Sequence, residues 1–235
     1  MDYLSSTRVN ERAVHLRLSA RQTVEGDLGL PHDPHGLIVF AHGSGSSRFS
    51  SRNRSVAAAL WEGGFATLLL DLLTTEEERI DSVTRQHRFD ILLLGERLVA
   101  AVDWAMREDG LRSLPVGLFG ASTGAAAALV AAARRPAIIK AVVSRGGRPD
   151  LAGAAALDQV RAPTLLIVGG YDRQVIDLNV EAMHQLHSTK RLEIIPRATH
   201  LFEEPGALDQ VALLARDWFT RYMPQLAPAA SDNLV

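Results

Sequence analysis

The chain has 235 residues, and 47% of its side chains are hydrophobic, which suffices for the core of one large α/β domain or two small ones. Its formal net charge of −2 provides no strong field for nucleic acid or for a membrane surface, so neither is an expected partner. The absence of cysteine from the sequence excludes disulfides, a cysteine nucleophile and thiolate metal ligands.

The first residues, "MDYLSSTRVNERAVHLRL", do not show a basic region followed by a continuous apolar stretch, as a signal peptide would. No apolar run elsewhere reaches the length needed to span a membrane. We therefore expect a cytoplasmic protein.

The order of apolar segments predicts the fold class. Residues 14–18 and 23–31 alternate polar and apolar side chains, which indicates an antiparallel edge pair. Continuous apolar runs, typical of strands covered on both faces, follow at 36–43, 65–71, 114–121, 138–144, 162–170 and 190–196. Helix-forming segments lie between or after them at 53–64, 89–108, 123–135, 174–187 and 205–223. The acidic stretch 74–82 is predicted to be a loop.

This alternation favours an α/β fold with a mostly parallel sheet and helices on both faces. We find no repeat and no change of composition, so residues 1–223 are predicted to form one domain, and the tail 224–235 is expected to be disordered. The connection 145–161 is too short for a helical cap domain.

The segment "GLFGASTGAAAAL" places the pattern G-x-S-x-G between a predicted strand and a predicted helix. In a nucleophile elbow the serine stands at the tip of a sharp strand-to-helix turn, where only small neighbours fit. Ser122 is therefore the candidate nucleophile. A phosphate-binding loop of the G-x-x-x-x-G-K-[ST] type is excluded because no lysine follows.

A serine hydroxyl needs a base, usually a histidine that is oriented by a carboxylate. Asp172 follows one predicted strand and His200 follows the next, in the order Ser-Asp-His that accompanies this elbow. Asp150, which also follows a strand, is the alternative acid. His184 and His187 lie three residues apart on a helix, but no carboxylate cluster supports a metal site, and none is predicted.

An acyl-transfer site also needs N–H donors for the developing oxyanion. The residue after the nucleophile, Thr123, is predicted to supply one N–H. The loop "AHGSGSSRFSSRN" after the strand 36–43 is predicted to supply the other from Ser44, with Gly45 as the alternative. His42 is expected to be structural.

Three arginines, Arg48, Arg145 and Arg173, lie on loops that should meet at the same rim as Ser122. Guanidinium groups there could bind a substrate carboxylate or phosphate. The alternative is that they form surface salt bridges with acidic loops.

Together "LIVFAHGSGSS", "GASTG", "IVGGYD" and "ATHLFEEPGAL" resemble the α/β-hydrolase family, and within it the small, capless dienelactone-hydrolase-like branch. The resemblance covers nearly the whole chain. It implies a sheet of about eight strands and a hydrolase of esters or similar acyl bonds without a cofactor. Dienelactone hydrolases use a cysteine nucleophile, and Ser122 at that position favours a general carboxylesterase.

The sequence therefore predicts a serine hydrolase of small carboxylester or lactone-like substrates that is a monomer or a homodimer. Two other functions remain open at this stage. The same fold can serve as a non-catalytic binding protein. The same three residues can also transfer the acyl group to an acceptor other than water.

Overall fold

The computed structural model describes residues 8–224 of the chain. Eight strands form one sheet in the order β1-β2-β4-β3-β5-β6-β7-β8. The strands are β1 (Val9–Arg17), β2 (Thr23–Pro31), β3 (Gly36–Ala41), β4 (Phe65–Leu70), β5 (Val116–Ala121), β6 (Ile139–Arg145), β7 (Thr164–Gly169) and β8 (Lys190–Ile195). Strand β2 is antiparallel to both of its neighbours, β1 and β4, whereas β4, β3 and β5 to β8 run parallel. The predicted edge pair and the mostly parallel sheet are confirmed.

Helices cover both faces of the sheet because the central strands are apolar on both sides. They are α1 (Ser51–Glu62), α2 (Thr75–Thr84), α3 (Ile91–Ala105), α4 (Thr123–Arg134), α5 (Ala154–Gln159), α6 (Arg173–Gln185) and α7 (Ala207–Tyr222). In β3, Ile38 and Phe40 face the layer of α1 and α7, whereas Leu37 and Val39 face the layer of α3 and α4. Within residues 8–224, no helix is long and apolar enough to cross a membrane.

The acidic stretch that we predicted to be a loop forms most of helix α2, so that prediction is wrong. Thr74 caps the helix: its Oγ1 accepts from the N–H of Glu77 at 3.2 Å, and its own N–H donates to the Glu77 carboxylate at 2.8 Å. Three glutamates in the first turn add to this capping box because they complement the positive end of the helix dipole.

The connection between β6 and β7 contains a 3-10 turn, Pro149–Ala152, and the short helix α5, and no cap domain. The buried side chain of Leu157 in α5 belongs to the same core layer as α3 and α4. The tail 224–235, expected to be disordered, lies outside the described residues except for Pro224, and the domain end at 223 stays a prediction.

Candidate active site

Ser122 lies at the turn between β5 and α4 with φ 52° and ψ −120°, a conformation that L residues rarely adopt. The turn leaves no room for side chains on either side. A Cβ at Gly120 would lie 2.4 Å from the Cα of Ala125, and a Cβ at Gly124 would lie 2.4 Å from the carbonyl oxygen of Ala41. The strained serine and its two obligatory glycines explain why the sequence places small residues at this join.

His200 lies between Asp172 and Ser122. Its Nδ1 is 2.6 Å from Oδ2 of Asp172, and its Nε2 is 3.4 Å from Oγ of Ser122. Since the carboxylate can only accept, the ring proton is on Nδ1, and Nε2 is free to accept from the serine hydroxyl. The side chain of Asp172 is 17% exposed and that of His200 is 38% exposed. The three predicted residues thus come together in one chain of contacts.

Backbone contacts hold the loop that carries His200 against the end of β7. Asp172 lies three residues after that strand end. The N–H of Tyr171 donates to the carbonyl of Ala198 at 2.9 Å, and a Cβ at Gly169 would lie 2.4 Å from that same oxygen. Phe202, with φ 56°, is fully buried just after His200. This packing fixes the distance between the acid and the histidine.

The loop after β3 approaches the elbow closely, since a Cβ at Gly43 would lie 3.1 Å from Cβ of Ser122. His42 anchors the loop: its Nε2 accepts from the N–H of Leu72 at 3.1 Å, and its Nδ1 donates to the carbonyl of Gly43 at 2.9 Å. Burial lowers the pKa of His42, so its ring is neutral at pH 7. In a planar trans peptide the Ser44 N–H points opposite to the Gly43 carbonyl, hence away from His42.

A cavity of about 260 Å³ opens beside Ser122 and His200. Most of its other side chains are polar: Ser44, Ser46 and Ser50 lie in the segment that joins β3 to α1, and Arg52 and Asn53 lie in the first turn of α1. Arg145, at the end of β6, and Leu201 complete the wall. Thr123, the first residue of α4, is buried next to Ser122.

The structure separates the three rim arginines that we predicted. Arg145 lines the cavity of Ser122. Arg48 does not line it. Its guanidinium forms ion pairs with Asp71 and Asp27, and these hold it at a neighbouring cavity. Arg173 is exposed at the start of α6 and does not line the cavity.

Sequence reasoning missed Arg52 and Asn53, which line the cavity from the first turn of α1. The available signal was their position just after the loop that follows β3, at the same edge of the sheet as Ser122.

The alternative acid, Asp150, instead forms a two-point contact with Arg148, with N–O distances of 2.8 and 2.7 Å. Across residues 8–224, no cluster of three or more histidines and carboxylates could hold a metal ion.

A parallel sheet whose central strand ends in a strained serine elbow, with an acid and a histidine after later strands, defines the α/β-hydrolase class. The model of the "Dienelactone hydrolase family" matches residues 24–226. The chain belongs to that family.

Solved structures support this assignment. The crystal structure of a dienelactone hydrolase from Anabaena variabilis is 58% identical, with a TM-score of 0.89 over 91% of this chain and 98% of that chain. Est1E from Butyrivibrio proteoclasticus is 18% identical, with a TM-score of 0.75 over 90% of this chain and 98% of that chain, which shows a common fold.

Two curated relatives from Mycobacterium tuberculosis strains, each named "Putative phosphoribosyl transferase", are 57% identical over 200 residues. The match covers 85% of this chain but only 44% of each relative. The chain therefore spans about half the length of these relatives.

Proposed function

We propose that the protein is a serine hydrolase that cleaves small esters through an acyl-enzyme intermediate. The observation that carries this proposal is the position of His200, between the carboxylate of Asp172 and the hydroxyl of Ser122. The Oγ–Nε2 distance of 3.4 Å is at the long end for a hydrogen bond, as is common before substrate tightens such a contact.

In the first half of the reaction, Oγ of Ser122 attacks the acyl carbonyl carbon while Nε2 of His200 takes the hydroxyl proton. The tetrahedral intermediate then expels the alcohol, which receives that proton from His200. In the second half, water repeats the sequence on the acyl-enzyme and releases the acid and Ser122. Asp172 holds the imidazole in the required tautomer and stabilises its charged form. No step requires a cofactor.

The N–H groups of Ser44 and Thr123 would bind the oxyanion of both intermediates. Thr123 is the first residue of α4, so its N–H has no partner within the helix. The contact with His42 supports Ser44 as the second donor: it holds the Gly43 carbonyl toward His42, so the N–H of Ser44 points to the opposite side. Both donors belong to backbone that is fixed before substrate binds, which is the condition for strong transition-state stabilisation.

The dimensions of the cavity support small substrates. Its volume of about 260 Å³ lies below the range typical of drug-sized ligands, roughly 300–1,000 Å³. Polar side chains form most of its wall, and no cap domain within residues 8–224 extends it. Short carboxylic esters and lactone-like substrates fit these limits better than long acyl chains do.

The phosphoribosyl transferase name of the mycobacterial relatives describes longer proteins, of which the match covers 44%. The contacts around Ser122 favour acyl chemistry for this chain. Acyl transfer to another acceptor would use the same three residues, and analysis of products with competing alcohols distinguishes it from hydrolysis.

The test is hydrolysis of p-nitrophenyl acetate and butyrate by the parent and by Ser122→Ala. We expect the variant to lose several orders of magnitude in kcat/KM because members of such a triad act as a unit. Ser113→Ala, an exposed serine before β5 at the opposite edge of the sheet, is the control and should match the parent. Activity of Ser122→Ala within tenfold of the parent would rule out the proposal, and an inactive parent would favour the non-catalytic binding protein.

A further inference from the structure

Arg145 is a buried cation for which the described residues provide no anionic partner. The residue is 6% exposed, and its guanidinium donates from Nη2 to Oδ1 of Asn53 at 3.2 Å. Within residues 8–224 it forms no ion pair, and its Nε has no hydrogen-bond partner. Charged side chains are rarely buried unless they are paired, so this arrangement needs an explanation.

Burial, together with the nearby charge of Arg52, lowers the pKa of Arg145 to about 10. The side chain is therefore still protonated at neutral pH, and the fold carries the cost of an unpaired charge. Such a cost is retained where the charge serves a function.

The cavity wall that Arg145 shares with Ser122 contains a second cation, Arg52. Arg52 lines the cavity from the start of α1, and its Nη1 pairs with Oε1 of Glu203 at 3.3 Å in a contact that solvent reaches. Among residues 8–224, the Nε of Arg52 also has no hydrogen-bond partner. None of the described residues that line this cavity is an aspartate or a glutamate.

We propose that Arg145, with Arg52, binds a compact oxyanion of the substrate, a carboxylate or a phosphate, beside Ser122. Guanidinium groups bind both anions through paired N–H donors. Asn53 holds Arg145 in place from α1, because its Oδ1 accepts from Nη2. This inference rests on the proposed function, since it makes the preferred ester one that carries a negative charge on its acyl or its alcohol part.

The first test compares charged and neutral esters of matched size. One pair is the p-nitrophenyl monoester of adipate against p-nitrophenyl hexanoate, and the other is 4-carboxyphenyl butanoate against 4-carbamoylphenyl butanoate. We expect the parent to prefer the charged member of at least one pair by about tenfold or more in kcat/KM, the size of one charge-assisted contact.

Arg145→Met keeps an unbranched stem in place of the aliphatic part of arginine and removes the charged guanidinium, and it should abolish that preference. Arg52→Gln, at a more exposed position that tolerates change, should reduce the same preference. Arg112→Gln is the control, an exposed arginine before β5 at the opposite edge of the sheet, and it should keep the parent's ratio. No preference in the parent, or an equal preference in Arg145→Met, would overturn the inference.

A second readout does not depend on ester hydrolysis. Glutarate and inorganic phosphate, each at tens of millimolar, are added to the folded protein and thermal unfolding is followed. At least one of them should raise the Tm of the parent by about 2 °C or more and that of Arg145→Met by much less. The anion that raises the Tm shows whether the site prefers a carboxylate or a phosphate. Equal shifts in both proteins, or none in the parent, would overturn the anion site even if the ester assay succeeded.

Discussion

Gly124 is a position at which one added methyl group would severely perturb the elbow. A Cβ there would lie 2.4 Å from the carbonyl oxygen of Ala41 and 2.5 Å from that of His42. Both atoms belong to the backbone and cannot rotate away. Helix α4 would have to retreat from the end of β3 by close to 1 Å to restore ordinary contact, which lies near 3.4 Å.

We predict that Gly124→Ala lowers both stability and activity. Overpacking of this kind costs about 1–3 kcal/mol, which corresponds to a decrease in Tm of roughly 2–12 °C for a chain of this size. Because Ser122 directly precedes α4 while Ser44 lies in the loop after β3, the same retreat separates the nucleophile from the proposed oxyanion donor. A displacement of about 1 Å can reduce the rate by about 10²-fold.

The assay combines calorimetric unfolding with kcat/KM for p-nitrophenyl acetate. Gly110→Ala is the matched control: Gly110 has φ 82°, but nothing lies within 4 Å of an added Cβ, and the position is at the opposite edge of the sheet. It should lose about 1 kcal/mol through backbone strain and keep its activity. If Gly124→Ala retained the parent's Tm and rate, the steric account of the elbow would be refuted.

Three further predictions concern the acid, the substrate and the buried charge. Asp172→Asn should reduce kcat by roughly 10⁴-fold through the wrong histidine tautomer, whereas Asp150→Asn, which breaks a pair with Arg148, should change it by a few fold; the reverse order would assign the acid to Asp150. In a series of p-nitrophenyl esters, kcat/KM should stop rising within a few carbons, because a buried methylene is worth about 0.8 kcal/mol only where an apolar pocket covers it; a steady rise to long chains would reveal an acyl tunnel. Arg145→Met should stabilise the fold at pH 7: the lowered pKa means that folding disfavours the charged form, at a cost of roughly 3 kcal/mol, against about 1 kcal/mol for the lost hydrogen bond to Asn53. A lower midpoint of denaturant unfolding in that variant would contradict this sign.

The sequence was sufficient to predict the core of the candidate site because the site depends on chain order. In a parallel sheet, the residues that follow each strand meet at one edge, so the positions of Ser122, Asp172 and His200 after three strands predicted that they would meet. The steric role of the glycines around Ser122 followed from the same turn, and the 2.4 Å clearances support it.

Other features depend on contacts that the sequence order does not determine. Of the two roles considered for Arg48, substrate binding and a salt bridge, the structure shows the salt bridge, because Asp71, 23 residues later, and Asp27 on β2 pair with its guanidinium. Arg52 was missed because the sequence does not show which way the side chains in the first turn of a helix point until the helix is packed against the sheet. Helix α2 was missed although the sequence contained its signal, the pair of Thr74 and Glu77 three residues apart.

The central claim is that Ser122 is an activated nucleophile. The most direct measurement is the mass of the intact protein, followed by peptide mapping, after incubation with a fluorophosphonate that labels activated serines. The account predicts one adduct per chain, located on Ser122, formed much more slowly in His200→Ala and not formed at that position in Ser122→Ala. A parent protein that hydrolyses esters but carries no adduct on Ser122, or that keeps its full activity once Ser122 is labelled, would contradict it.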